Sequence, residues 1–358
     1  MDKTKKFDLK KVLLDNGIIV LLMLLVIYVS ITEPNFRSFR NIMNLAINAA
    51  PRVIIALGVS ACLITKGTDL SAGRMVGLSA CLSGIMLQKA DAPGKVWPDF
   101  PQLNVWVVLL ICMALCAVFG LINGVVISYL SVPAFIGTLG MQMIVYGIAQ
   151  VVTNNVPIGG YRADYTAVTQ GKIGGVFPLL FLYLIIAAVI FWFVFNYTRH
   201  GKYMYAIGGN EVAAEVSGVN VKKTKIIIYI TAACMYAIAG FLLGGKSGGA
   251  STQMGNGYEL EAIAACTIGG VSVNGGIGKI SGVIIGVAVF ELLKSALQFM
   301  GLNPTCSTLH RVSLSLLQSL WISENTLLKN NKCKSQKMVG SLRFPTGYPC
   351  IQWGFFIQ

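Results

Sequence analysis

The chain has 358 residues, 55% of them hydrophobic and only 12% charged, where a soluble domain carries roughly 25% charged residues. Its apolar runs approach membrane-spanning length and lack the polar face that a soluble helix turns to water, which excludes a water-soluble globule and defines an all-α, polytopic membrane protein. The net charge of +14 gathers in short loops and at the ends, where Lys and Arg set membrane orientation; without interleaved aromatic residues it does not point to nucleic acid as a partner.

Spans are expected at residues 17–31, 45–65, 75–87, 105–130, 133–152, 176–195, 226–243, 258–270 and 280–299. Several fall short of the roughly 20 residues of a full crossing, so their ends extend into Gly-rich neighbours or the helices are broken. Lys3, Lys5, Lys6, Lys10 and Lys11 precede the first run, and no A-x-A-like site follows it, so it is expected to be a first span and not a removed signal peptide. These lysines place the N-terminus in the cytoplasm. Six spans later the loop 196–225, with Arg199, Lys202, Lys222, Lys223 and Lys225, returns to the same side.

Beyond Pro304 the chain changes character. Residues 305–358 are basic, hold three of the nine cysteines and contain no run long enough to span. They form an expected second region, an atypical non-spanning tail that stands where a tenth span would be, for example through a shifted reading frame. Residues 1–304 form the expected transmembrane domain. Inside it, "GLINGVVI" at 120–127 is echoed by "GKISGVII" at 278–285, five spans later. Two readings stay open: an inverted repeat, or two small-residue stripes where helices pack.

Six cysteines, Cys62, Cys81, Cys112, Cys116, Cys234 and Cys266, lie in or beside apolar runs with no C-x-x-C spacing, so buried free thiols are expected and no metal or cofactor. Three polar stretches stand out. In "GGNEVAAEVSGVN" at 208–220, Asn210 is an N-cap, Glu211 places a carboxylate in the first turn, Ala213 and Ala214 favour helix, and Gly218 ends it in the left-handed region. So short a helix needs something to pack on; its apolar face of Val212, Ala213, Val216 and Val219 rests on the protein itself or is offered to a cytoplasmic partner. In "TKGTDLSAG", Asp69 is costly in hydrocarbon and is expected to cap the helix starting near Leu70, with Ser71 beside it; a place along a pathway is compatible if the helix is broken at membrane depth. In "GGKSGGASTQMGNGYELEA" at 244–262, Glu259 is expected to cap, or to pair with Lys246 or Arg52; the glycine spacing is not that of a phosphate-binding loop.

The stretches at 201–221, 66–80 and 255–282 together resemble the permease subunits of bacterial ABC importers for monosaccharides, the ribose, xylose and galactoside group, over residues 1 to about 304. The resemblance implies about ten spans with an inverted repeat, a pair of permease subunits in the inner membrane, a cytoplasmic ATP-binding subunit that hydrolyses ATP, and a periplasmic sugar-binding protein. It also implies that Gly209, Asn210, Glu211, Ala213, Ala214 and Gly218 dock on the ATPase, and that the chain is not itself an enzyme. Asn48, Asp69, Ser71, Asn123, Gln142, Glu259 and Thr267 are the candidates for a sugar pathway. For any one of them an interhelical hydrogen bond, about 0.6 kcal/mol, is the more ordinary use. The alternative function is an ion-coupled secondary transporter or channel using Asp69, Glu259, Glu261 and Glu291, which leaves the capped helix unexplained. A membrane-embedded enzyme would want D-x-x-D or H-E-x-x-H, and neither occurs.

Overall fold

A computed structural model describes residues 17–300; the expected tail at 305–358 and the lysines ahead of residue 17 lie outside the described residues. The described residues form twelve α-helices: α1 Gly17–Thr32, α2 Phe39–Ile64, α3 Ala72–Met86, α4 Val105–Ser128, α5 Ala134–Thr153, α6 Ala163–Gln170, α7 Leu179–Tyr197, α8 Arg199–Gly209, α9 Glu211–Val216, α10 Val221–Ser247, α11 Tyr258–Ile268 and α12 Ile280–Phe299. A hairpin of two-residue strands, β1 Lys172–Ile173 and β2 Phe177–Pro178, pairs Lys172 with Pro178.

Each expected span coincides with a helix, and six helices (α2, α4, α5, α7, α10 and α12) are long and apolar enough to cross a membrane. Their ends differ from the expected ones because caps, not polarity, set them. Ser38 Oγ accepts from Asn41 N at 3.3 Å and starts α2 at Phe39, and Asn220 Oδ1 accepts from Lys223 N at 3.0 Å and starts α10 at Val221. Both helices therefore run through polar residues that the hydropathy pattern assigned to loops. Helices α6 and α8 were not expected.

Two helices form the centre. The most apolar window of α2 is 78% buried and that of α10 67%, against 22–28% for α4, α5 and α7; the latter three face outward with apolar side chains, as lipid requires. One end of the bundle is fixed by the basic segment 198–225, and the inner end of α2 meets it: Gly276 N donates to Ile64 O at 2.8 Å, and Tyr205 Oη donates to Gly278 O at 2.8 Å. We call this the basic end and the opposite one the far end.

The short helices α3 and α11 are not full crossings. At 1.5 Å per residue they span only about 22 and 16 Å, against about 30 Å of hydrocarbon. α3 occupies the half of the bundle towards the far end and α11 the half towards the basic end. Their first turns meet in the middle, where a Cβ on Gly73 would collide with Gly255 O and the Glu259 carboxylate. Each begins at the same pattern, G-x-acid-L-x-A, at residues 67–72 and again at 257–262. Around them the packing is reciprocal: α10 lies against α3 and α4, and α2 against α11 and α12.

The echo at 120–127 and 278–285 has a separate cause. A Cβ on Gly120 or Gly124 would meet Tyr229 O or Ile226 of α10, and one on Gly282 or Gly286 would meet Gly269 O or Ala265 O. Both stripes are close helix contacts, one late in α4 and the other at the start of α12, and both lie towards the basic end.

Candidate functional site

The junction between the half-helices is built from the turn at residues 65–71, which leaves the end of α2 through Thr65 N and Lys66 N, donating to Cys62 O and Leu63 O at 3.1 and 3.0 Å, and then runs buried at Asp69, Leu70 and Ser71. Buried backbone must be satisfied by protein here. Gly67 N donates to Cys62 O at 2.9 Å, Leu70 N to Thr138 Oγ1 of α5 at 3.1 Å, and Ser71 N to Asp69 Oδ1 at 3.0 Å. Ser71 Oγ donates to the same carboxylate oxygen at 2.5 Å and accepts from Asn123 Nδ2 of α4 at 3.1 Å. Asp69, Ser71 and Asn123 are thus brought together in one buried chain of hydrogen bonds. α3 itself starts one residue later, at Ala72, with no side-chain cap from Ser71.

Across the junction Glu259 is 4% exposed, and its Oε2 has no hydrogen-bond partner. It lies in the electrostatic range of Arg74. The expected pairing of Glu259 with Arg52 or Lys246 does not form. Arg52 of α2 instead pairs with Glu291 of α12 and, at 3.5 Å, with Glu261 of α11, while Lys294 Nζ lies 2.5 Å from Glu261. The four form a charge-balanced lattice between three helices, with Arg52 also 5.3 Å from the Tyr258 ring centroid. Helical spacing explains the exchange: Glu261 lies two residues after Glu259 and faces α2 and α12, whereas Glu259 faces α3. Lys246 Nζ donates to Asn48 Oδ1, beside a cleft of about 370 Å³ that Asn48, Arg52 and Lys294 also line. Thr267 Oγ1 donates to its own helix at Ile263 O, 2.7 Å, and Gln142 is half-buried on α5. Asn48, Gln142 and Thr267 do not join the Asp69 group.

The basic end presents α9. Asn210 Oδ1 accepts from Ala213 N at 3.1 Å, and the helix closes through Gly218 at φ +85°, with Val219 N donating to Ala214 O at 3.1 Å. Lys225 Nζ lies 2.7 Å from Glu211 Oε1 and ties α9 to α10. The expected apolar face is split. Ala214 turns inward against Ile207, Val219 and Val221, whereas Val212 and Val216 are 70% and 84% exposed. Two consecutive helices, α8 and α9, present this surface. Gly208 lets α8 lie directly on the end of α2, since a Cβ there would strike Ile64 O and sit 2.5 Å from Gly276 N. Beside them a cleft of about 350 Å³ is lined by Lys66, Ser131, Glu211 and Lys225. His200, in the first turn of α8, is half-buried, and that burial lowers its pKa from the ordinary histidine value.

Sequence reasoning missed the residues that hold the junction from the far side. Arg74 Nη1 donates to Thr252 O at 3.2 Å and Nη2 to Asn256 Oδ1 at 3.0 Å, with the guanidinium 4.1 Å from the Tyr146 ring centroid. Gln253 Nε2 donates to Tyr146 Oη at 2.6 Å. The signal available was Arg74 itself, an arginine two residues into an apolar helix, which demands partners at depth. Among the described residues no group of His, Cys, Asp and Glu could hold a metal ion.

Broken helices meeting at depth, together with a capped surface helix at the basic end, are features of membrane transport proteins. The sequence profile of the family described as "Branched-chain amino acid transport system / permease component" matches residues 41–317, and the chain belongs to this family. It is 42% identical over 324 residues to the galactose/methyl galactoside import permease of Haemophilus influenzae, covering 88% of this chain and 95% of that one. With the protein of the same name from Escherichia coli it shares 43% identity over 296 residues, 81% of this chain and 88% of the other. With the ribose import permease of Escherichia coli it shares 32% over 304 residues, 84% and 90% of the two chains. No solved structure matches. The chain is thus a multi-pass membrane permease component, and its relatives are transport subunits.

Proposed function

We propose that the chain is the membrane-spanning subunit of an ATP-driven importer for a galactose-type monosaccharide. The observation that carries this is the identity of 42–43% to galactose/methyl galactoside permeases over most of both chains, against 32% for a ribose permease. In this reading the bilayer is the bacterial inner membrane, and the basic end, with the N-terminus, faces the cytoplasm, as the lysines and arginines there favour. A cytoplasmic ATP-binding subunit docks on α8 and α9. A sugar-binding protein delivers the sugar at the far, periplasmic end, and two copies of the permease frame the passage. Val212 and Val216 contact the ATPase, while Asn210, Gly209, Glu211, Ala213, Ala214 and Gly218 shape and hold the docking helix. Asp69, Ser71, Asn123 and Glu259 form the hinge of the pathway where α3 and α11 meet.

The test is uptake of labelled D-galactose by the full chain, co-expressed with the ATP-binding and sugar-binding subunits of such an importer. Uptake that requires ATP and persists when proton and sodium gradients are collapsed supports the reading. Uptake lost with the gradients while ATP is maintained favours the ion-coupled alternative, which the buried acids Glu259, Glu261 and Glu291 would then serve.

A further inference from the structure

We propose that Arg74, Tyr146, Gln253 and Asn256 form the patch at which this permease reads the hydroxyl groups of its sugar. The inference rests on the importer reading above and names residues that it leaves unassigned. Three separate elements converge there: α3 supplies Arg74, α5 supplies Tyr146, and the tight turn before α11, in which Asn256 N donates to Gln253 O at 3.2 Å, supplies Gln253 and Asn256.

Depth carries the argument. Tyr146 stands about 18 Å along α5 from its start at the basic end, at 1.5 Å per residue, and therefore well inside the hydrocarbon. Arg74 lies in the first turn of α3, which begins in the middle of the bundle. At this level Gln253 and Asn256 are exposed, and Arg74 and Tyr146 are half-buried. Acyl chains cannot satisfy two exposed amides and a guanidinium, so this face must border a wet passage or a second copy across one. The neighbouring face of α5 carries the exposed Met143 and Ile144 and suits lipid. The line between wet and greasy surface runs along a single helix.

The chemistry selects a neutral polyol. Amide groups, a phenol hydroxyl and spare guanidinium N–H groups both donate and accept, as sugar hydroxyls do. The guanidinium carbon lies over the Tyr146 ring, 4.1 Å from its centroid, which sets a donor array beside an aromatic face. The Glu259 carboxylate near Arg74 opposes an anionic ligand. None of the four polar groups pairs with a carboxylate among the described ion pairs, so release is not held back by a strong charge contact.

The full importer is reconstituted in liposomes with the sugar-loaded binding protein, and galactose uptake, competition by 2-deoxy- and 6-deoxy-galactose and by glucose, and stimulated ATP hydrolysis are measured. For Gln253→Ala, Asn256→Ala and Tyr146→Phe we expect uptake about five- to ten-fold lower, one hydrogen bond's worth, and a changed order among the competitors, while ATP hydrolysis stays within about two-fold. Unchanged uptake and order in all three overturns the proposal. So does parallel loss of uptake, hydrolysis and assembly in all three, which would mark a structural role. If the unsubstituted chain carries no sugar, the importer reading itself fails. The patch is then judged by a membrane-impermeant maleimide: Gln253→Cys labelled faster than Met143→Cys, both above the unsubstituted chain, keeps it on a wet surface, and equal labelling overturns it.

Discussion

Arg52 illustrates how little freedom a charge has inside this bundle. It holds Glu291 and Glu261 from two other helices, and Lys294 balances the second acid. Removing one member strands a partly buried charge, which costs about 3–5 kcal/mol in a fully buried pair and less where a side chain is part-exposed. Glu291→Leu should therefore lower the melting temperature of the detergent-purified protein sharply. Adding Arg52→Met should recover most of the loss, because Glu261 and Lys294 remain a neutral pair. Strictly additive losses in the double variant would show that the lattice contributes nothing as a unit. Asp69 is the contrasting case, an acid whose partners are the amide and hydroxyl of Ser71 two residues away. A local partner for this acid was legible in the sequence, but not its place: the expected cap of a helix starting near Leu70 is instead a turn, and the helix begins at Ala72. The partners of Arg52 were not legible, since α2, α11 and α12 are far apart in the chain and only their packing selects Glu261 over Glu259.

At the level of elements, the helix at 211–216 was readable almost residue by residue, because capping is a code written within four positions. What the sequence could not convey is which face it keeps for itself. Ala214 packs inward, and Val212 and Val216 remain outside. Val216→Asp should therefore leave the amount of folded permease unchanged and abolish co-purification of the ATP-binding subunit. Ala214→Asp should damage the permease itself; identical behaviour of the two variants would refute the assignment of faces. Gly218→Val, at φ +85°, should loosen α9 by about 1–3 kcal/mol of backbone strain, and faster amide exchange at residues 211–219 would register it. The half-helices were only half legible. Their short apolar runs signalled a break, but their meeting depends on close approach at Gly73 and Gly255, which no periodicity announces.

For the molecule as a whole, the reciprocal packing of α2 and α10 gives a frame in which each long helix supports the other's broken neighbour. The pattern G-x-acid-L-x-A marks the two equivalent starts, yet their surroundings differ. Thr138 of α5 receives Leu70 N at the first, while Leu260 at the second is 53% exposed. The two acids also differ: Asp69 is bonded and closed, Glu259 unbonded at Oε2. A frame symmetric in its packing is thus unequal at its two junctions. Asp69→Asn, which keeps size but exchanges the carboxylate acceptor of Ser71 for an amide, should slow uptake several-fold, the equivalent of about 0.5–1.5 kcal/mol of hydrogen bonding. Glu259→Gln should be the milder change, and the reverse order of uptake rates would contradict this division of roles.

The shortness of α11 also bears on how the protein is made. Eleven residues carrying Glu259 and Glu261 in their first turn, which ends at mid-bundle depth, are a poor candidate to leave the translocation machinery for lipid unaided, since buried acids in a membrane segment oppose entry. Lys294, which neutralises Glu261, is synthesised only when α12 emerges. Stable insertion of α11 should then depend on α12: a chain ending near residue 275 and released from the ribosome should leave α11 open to protease, and one extended past residue 300 should protect it. The order of synthesis is in this way written into the same ion pairs that hold the finished bundle.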